Sequence, residues 1–404
     1  MLKAVELFAG AGGLGMGIAL AGFEALAVVE WDRWACDTIR ENGQRGYPLV
    51  KGWPLFAGDV RSFDLGTLPV GIDLVAGGPP CQPFSMGGKH RAHDDDRDMF
   101  PTMVDVVRRL QPRAFIVENV KGLTRPTFAN YFQYILLQFE FPEVARKRDE
   151  EWADHLKRLQ RQKTSGRRTG LSYNVVATLA NAANFGVPQR RERVFIVGFR
   201  EDQDVKWSFP KETHSADALM VDQWVTQDYW ERHRIGRKAR PPMPPSLAGR
   251  IEEQRQLNLR ANVVRAPWVT VRDAIQGLPD PERLRGEARY HNHRYQSGAR
   301  SYPGHTGSPL DLPAKTLKSG VHGVPGGENM MVRDDGTVRY FTAREAARLQ
   351  TFPDGYVFHG AWSEIMRQLG NAVPVALARI VAASVAEKLL QADMLRQVRA
   401  AGRA

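Results

Sequence analysis

Short apolar runs punctuate the first half of the chain, and each ends on a glycine, an acid or a turn cluster. They are Ala4–Phe8, Ala25–Val29 closing on Glu30, Ile72–Ala76, and Arg113–Val117 closing on Glu118. Runs of this length, bounded by turn signals, read as buried strands. Helical stretches lie between them. One opens within the glycine-rich Ala9–Gly17 segment and is closed by Gly22. A second follows Asp32, a candidate N-cap, and stops near Gly43. A third runs from Asp98 to about Leu110. Strand and helix in alternation predict a doubly wound α/β domain, in which ligands bind beyond the carboxyl ends of the strands. Tyr173–Ala180 and Val194–Phe199 add two strands. The segment before them, Pro142–Gly170, is dense in charge and predicts an exposed helix over Glu143–Gln162, in an insertion with no catalytic role.

From about residue 201 to 338 the α/β rhythm is lost. Irregular stretches alternate with turn clusters, and Arg240–Pro245 is a stiff proline-rich linker. Thr342–Gln350 then reads as an amphipathic helix with a Thr342/Glu345 capping box. Gln368–Pro374 opens a last helix, with Asn371 as its candidate cap. Two domains are expected. The larger covers 1–200 and is completed by 339–404; the smaller, irregular one covers 201–338.

Composition narrows the class. Of 404 residues, 43% are hydrophobic and 25% charged, which excludes wholesale disorder. The net charge of +11 favours a polyanionic partner. Only Cys36 and Cys81 are present, so neither a disulfide framework nor a cysteine-rich zinc site is expected. His291 and His293 have no partner cysteines and no H-E-x-x-H helix, so no metal is expected. Without a signal-peptide pattern or an apolar run of membrane-spanning length, a soluble cytoplasmic protein is expected.

Candidate chemistry sits where the predicted strands end. Gly77-Gly78-Pro79-Pro80-Cys81 forces a stiff loop after a strand, and Cys81 on it is a candidate thiolate nucleophile. A lone cysteine is more often a small buried hydrophobe. Gly10, Gly12 and Gly15 match G-x-G-x-x-G, which fits a nicotinamide enzyme equally well. Glu30 suits a ribose diol or starts a helix; Trp31 stacks on an adenine or fills a core; Asp59 binds an exocyclic amine or caps a turn. Glu118 lies on the same sheet edge as Cys81, or caps the following segment. In Gln189-Arg190-Arg191-Glu192-Arg193 the guanidinium forks can orient a carboxylate, contact a base oxygen or hold a phosphate. Salt bridging is the alternative for Arg193.

Taken in order, Pro80-Cys81-Gln82, Glu118-Asn119-Val120, Gln189-x-Arg191-x-Arg193, Arg344-Glu345-x-x-Arg348-Leu349-Gln350-x-Phe352-Pro353 and Gly370-Asn371-Ala372-Val373-Pro374 resemble the C5-cytosine-specific DNA methyltransferases of bacterial restriction–modification systems. The resemblance implies a Rossmann-like S-adenosylmethionine-dependent methyltransferase domain, with 201–338 as the target-recognition domain. It implies methyl transfer from S-adenosyl-L-methionine to C5 of cytosine within a short specific sequence of double-stranded DNA. The route is a covalent Cys81 adduct to a flipped-out base. By the same resemblance Glu118 bonds N3 and N4 of the base, Arg191 faces it and Arg193 supports the site. The cofactor is implied at Phe8, Ala9, Gly10, Gly12, Gly13, Leu14, Glu30, Trp31, Asp59, Val60, Pro79, Met99, Asn371, Ala372 and Val373. DNA contacts are implied at Ser85, Gly87, Lys89 and Arg97 on a closing loop, and at Thr316 and Leu317. A monomer associated with the nucleoid is expected, with a cognate restriction endonuclease acting on the same site as its counterpart. Three alternatives stay open. An RNA cytosine-5 methyltransferase would need the same catalytic set. A nicotinamide oxidoreductase leaves Cys81, Glu118 and Arg191 without roles. A non-enzymatic DNA-binding relative would be expected to lack one of those three.

Overall fold

The computed structural model describes residues 1–80, 98–166, 170–252, 265–284, 290–319 and 329–401. The chain divides into two compact units. One comprises Met1–Ala180, Glu192–Pro210 and Leu377–Ala404; the other comprises Asn181–Arg191 and Lys211–Ala376.

The first unit is built on seven strands: β1 (Leu2–Leu7), β2 (Phe23–Glu30), β3 (Leu55–Ala57), β4 (Leu74–Gly77), β5 (Ala114–Val120), β6 (Tyr173–Asn181) and β7 (Glu192–Arg200). Their order in the sheet is β3-β2-β1-β4-β5-β7-β6. Strands β1 to β5 pair in parallel and β7 runs antiparallel to β5. This is the doubly wound α/β fold expected from the apolar runs. The order reverses between β1 and β4, which makes that crevice the topological switch point where such sheets take ligands. Strands β4 and β5 are apolar without alternation, and Leu74–Ala76 and Ala114–Val117 are fully buried. Continuous apolar runs are what a parallel strand covered on both faces requires.

The helices of this unit are α1 (Gly13–Leu20), α2 (Arg33–Gln44), α3 (Phe100–Leu110), α4 (Ala129–Glu140) and α5 (Trp152–Thr164), joined by most of the last helix, Val375–Ala401. Asp32 caps α2 as expected, its carboxylate accepting the Ala35 N–H at 3.0 Å. Helix α1 approaches the last helix so closely at Gly17 that a Cβ there would lie 2.4 Å from the Cβ of Ala378, so only glycine fits. Arg113 fastens the last helix to the sheet edge. Its guanidinium meets Asp73 at 2.9 Å and Asp393 at 2.6 Å and donates to the Leu389 carbonyl at 3.1 Å.

Two expectations are corrected in this part of the chain. The charged insertion is helical over Trp152–Thr164, not from Glu143. Asp149 takes a left-handed φ of 62°, and Glu150 is drawn into a local ion pair with Arg158 at 2.7 Å, which stops a helix from starting earlier. The chain was also expected to lack an apolar run of spanning length. The helical stretch Trp362–Ala401 has that length and apolarity, but 67% of its apolar window is buried inside the fold, the situation of a core helix.

The second unit carries a small sheet of Ser308–Pro309, Met330–Val332 and Val338–Tyr340. Leu219, Tyr229 and Trp230 form an apolar cluster with Trp224, Ile235 and Trp268 packed on it. The predicted capping box is present: Thr342 Oγ1 accepts from Glu345 N at 3.1 Å, and the Glu345 carboxylate accepts from Thr342 N at 2.8 Å. Asn371 does not cap the last helix. It is the final residue of the preceding helix, Trp362–Asn371, and the Thr351 hydroxyl accepts the Ala376 N–H at 2.8 Å instead.

Candidate active site and cofactor cradle

Four strand ends line up across the switch point. Val29, Leu7, Gly77 and Val117 are neighbours in one row of the sheet, running from β2 through β1 and β4 to β5. The next residue on each strand is Glu30, Phe8, Gly78 and Glu118. At about 4.8 Å per strand, Leu7 and Val117 stand roughly 10 Å apart. A cradle and a reacting group are thereby held side by side on one rigid edge.

The cradle begins where β1 breaks. Phe8 takes a left-handed φ of 56°, Gly10 one of 54° and Gly12 one of 84°. A non-glycine residue at positive φ is strained, and such strain gathers at ligand sites. The loop is closed by Ala9 N–H donating to Val29 O at 3.2 Å and Gly12 N–H to Ala9 O at 3.0 Å. At Gly10 the space a Cβ would fill is open. Glu30 organises the surroundings. Its carboxylate accepts from the N–H of Gly10 at 2.6 Å, Trp31 at 2.9 Å and Asp32 at 2.7 Å. Burial raises the Glu30 carboxyl above its ordinary value, and these three amides oppose the rise. Trp31 beside it is 75% exposed, a flat ring offered to solvent. Ala9, Gly13 and Leu14 are buried under the loop. Gly58 N–H donates to Glu30 O at 2.8 Å, which brings Asp59 and the buried Val60 to the same edge. The Asp59 carboxylate is gripped by the Arg61 side chain, which holds it below its ordinary range, and also accepts Arg61 N–H at 2.8 Å. Cys36 lies behind the cradle, buried, its thiol donating to Glu30 O at 3.2 Å and pushed up to about 11 by desolvation; it is a structural cysteine.

The reacting end lies over β4 and β5. Glu118 is 7% exposed and close to Gly78, where a Cβ would stand 3.2 Å from its Oε2. Arg193 Nε lies 2.9 Å from Glu118 Oε1. The pairing explains the contact: Glu118 sits opposite Phe195 and Val120 opposite Arg193, so Arg193 is the diagonal same-face neighbour of Glu118. Burial pulls the Arg193 guanidinium below its ordinary value, opposed by the Glu118 charge. Asn119 Nδ2 donates to Pro79 O at 2.9 Å and fixes the proline loop. Met99 N–H donates to Pro80 O at 3.3 Å.

A model of the C-5 cytosine-specific DNA methylase family matches residues 2–142 and 153–387. The chain belongs to that family. The unmatched gap falls on the corrected insertion before α5. The chain is 27% identical to Type II methyltransferase M.NgoPII of Neisseria gonorrhoeae over 96% of each. It is 28% identical to M.NgoMIV of the same organism over 95% of this chain and 97% of that one. Its fold is that of S. pombe Dnmt2 methyltransferase, with 17% identity, a TM-score of 0.53, and 97% of this chain and 99% of that one covered. It is also that of Entamoeba histolytica methyltransferase EhMeth, with 13% identity, a TM-score of 0.53, and coverage of 97% and 98%.

In this DNA cytosine-5-methyltransferase the first unit holds Glu118, Arg193, Pro79, Met99 and the Phe8–Leu14, Glu30–Trp31 and Asp59–Val60 positions. Arg191 was expected to face the base. It is fully buried, and its guanidinium donates to the carbonyls of Leu317 at 3.2 Å, Gly370 at 2.6 Å and Ala372 at 2.9 Å. A fork filled with carbonyls is a joint inside the second unit, and Arg193 is the arginine at Glu118. Leu317 was expected at the DNA. It is 1% exposed, with its N–H held by Gln189 Oε1 at 3.0 Å and its carbonyl by Arg191. Thr316 is half-buried and donates to Arg190 O at 2.7 Å. Ala372 and Val373 are buried in the second unit and Asn371 is exposed there. Cys81, Ser85, Gly87, Lys89 and Arg97 lie outside the described residues. Sequence reasoning missed Asn119 as the anchor of Pro79 and Arg61 as the holder of Asp59. The second was signalled by i,i+2 spacing of opposite charges. Among the described residues no group of three His, Cys, Asp or Glu side chains could hold a metal.

Proposed function

We propose that this methyltransferase moves a methyl group from S-adenosyl-L-methionine to C5 of a cytosine flipped out of duplex DNA, through a covalent adduct to Cys81. The observation that carries the reading is the row of Val29, Leu7, Gly77 and Val117 across the switch point, which puts Glu30, Phe8, Gly78 and Glu118 at adjoining strand ends. The residues there fit the cofactor. The open space at Gly10 admits a ligand against the backbone, the exposed Trp31 ring offers a stacking face for adenine, and Glu30 and Asp59 ring the same edge. The bound cofactor supplies an electrophilic methyl on a sulfonium.

The chain's own residues do the rest. C5 of cytosine is a poor nucleophile and lies inside the helix, so the base must leave the stack. The Cys81 thiolate adds to C6, which makes C5 nucleophilic. Glu118 bonds the N3–N4 edge and stabilises the electron density that collects at N3. Arg193, ion-paired to Glu118 and partly desolvated, orients that carboxylate and donates to the base O2. Loss of the C5 proton and departure of Cys81 complete the cycle. Residues 201–338 supply the target recognition. The protein works as a soluble cytoplasmic enzyme on the nucleoid, with a restriction endonuclease of the same site as its counterpart.

Transfer of labelled methyl from S-adenosyl-L-methionine to duplex DNA, and not to RNA of the same sequence, tests the reading. Label on RNA alone would assign the same machinery to the other substrate.

A further inference from the structure

Between Tyr290 and Pro309 the chain carries Arg294, Arg300 and three histidines, and no Asp or Glu. In the middle, Tyr302-Pro303-Gly304-His305 forms a tight turn closed by an isolated antiparallel bridge. His305 N–H donates to Tyr302 O at 2.8 Å and Tyr302 N–H to His305 O at 3.3 Å. Pro303 suits the first corner and Gly304, at φ 84°, the second, the pattern of a type II turn. A Cβ on Gly304 would meet open space, so the backbone angle rather than crowding selects glycine.

The tip is exposed and its base is fixed. Tyr302 keeps 49% of its surface, and its ring lies against the His305 imidazole with centroids 4.2 Å apart at 44°. Lys315 Nζ donates to Thr306 Oγ1 at 2.8 Å, and Lys315 N–H to Ser308 Oγ at 3.0 Å. Ser308–Pro309 pairs with Met331–Val332 in the small sheet. About half of this amphipathic ring is offered outward, on a turn fixed at its base. Its orientation is set before any partner arrives, so little ordering cost falls on binding.

We infer that this turn enters the major groove of the substrate duplex, and that Tyr302 is a specificity-determining residue whose hydroxyl reads a base edge. The inference rests on duplex DNA being the substrate. A single narrow turn fits within the roughly 12 Å width of the major groove. The acid-free flanks, with Arg294 and Arg300 exposed, add the sequence-independent attraction to phosphate. A tyrosine hydroxyl both donates and accepts, so it can pair with either kind of group on a base edge. His305 is the positioning residue that holds the ring.

The test uses the whole protein with S-adenosyl-L-methionine and a plasmid library of all short contexts, read by bisulfite sequencing. Steady-state kinetics on the wild-type target accompany it. Tyr302→Phe removes the hydroxyl and keeps the ring. It should relax the target at one base position, with discrimination there falling about 10- to 100-fold, while cofactor affinity and melting temperature stay unchanged. His305→Ala should raise the DNA KM, leave kcat unchanged and relax the same position. A target and DNA KM unchanged in both Tyr302→Phe and Tyr302→Ala would overturn the inference while leaving the duplex activity standing. Wild-type protein that modifies RNA and no duplex would overturn the parent reading, and this one with it.

Discussion

Arg193 reaches Glu118 across the antiparallel β5–β7 pair, Nε to Oε1 at 2.9 Å, with both side chains nearly buried. At this distance in a partly desolvated site the pair interacts far more strongly than on an exposed surface. The contact joins the carboxylate of one motif to the second arginine of another. Glu118→Gln should lower kcat about 10²- to 10³-fold, and Arg193→Ala by a similar factor, with cofactor affinity within a few-fold of the parent. Single-turnover methylation and cofactor titration separate the two quantities. If Arg193→Ala kept full kcat, the ion pair would be scaffold only.

Arg191 makes the opposite prediction. Truncating it to alanine takes the shared donor from the carbonyls of Leu317, Gly370 and Ala372 in a buried joint, where Ala372 O keeps only the Gln350 side chain at 3.4 Å. Each buried group left unpaired costs about 1–3 kcal/mol, so the variant should unfold at a temperature several degrees lower. Lysine at the position cannot reproduce the fork and should recover only part of the loss. A normal melting temperature with abolished turnover would mean that Arg191 acts on the base after all.

Trp31 separates binding from folding. At 75% exposure it contributes little packing, so Trp31→Ala should shift stability by no more than about 0.5 kcal/mol. Its ring is assigned to adenine, and losing one aromatic stack should weaken S-adenosyl-L-methionine about tenfold. Equilibrium binding and thermal unfolding of the same variant check both halves. Undiminished cofactor affinity would move the adenine elsewhere.

Glu6 gives the fold a pH dependence. It stands under the cradle, buried against Gly15, where a Cβ would lie 2.1 Å from its Oε2. Burial pushes the group up to about 8, the Gly15 backbone N–H opposing and the Glu30 charge adding to the rise. The folded protein therefore holds a proton that the unfolded chain releases near pH 4.5. Between pH 4.5 and 8 the native state binds more protons, so this group's contribution to stability falls as pH rises, by up to about 1.4 kcal/mol per unit. Above 8 the penalty levels off. Glu6→Gln should flatten that slope and be the more stable form at pH 8; chemical denaturation at pH 6, 7 and 8 reads it. A parent slope retained in the variant would place the titrating group elsewhere.

What was legible in the sequence was local or ordered along the chain. The glycine loop, the Asp32 cap and the Thr342/Glu345 box depend on residues within a turn of one another, and each formed as expected. The apolar runs gave away the sheet because strands β4 and β5 are buried on both faces and need no alternation. The two arginines of Gln189–Arg193 were not separable. They differ only in that β7 begins between them, at Glu192, so that Arg193 enters the ladder beside Glu118 while Arg191 stays outside it. The cap of the last helix was also out of reach, because Thr351 supplies it from 25 residues away. Glu6 is the one acid in a largely apolar strand, and only packing shows that it faces Gly15 and Trp53 instead of water.

The covalent step through Cys81 is the central claim, and trapping tests it most directly. The protein is incubated with S-adenosyl-L-methionine and duplex DNA carrying 5-fluorocytosine in varied contexts, because fluorine blocks loss of the C5 substituent. The account predicts a denaturation-resistant adduct that maps to Cys81, appears on one context and is absent from Cys81→Ser. Methyl transfer to unmodified duplex by Cys81→Ser, or no adduct from wild-type protein that methylates the same context, would contradict it.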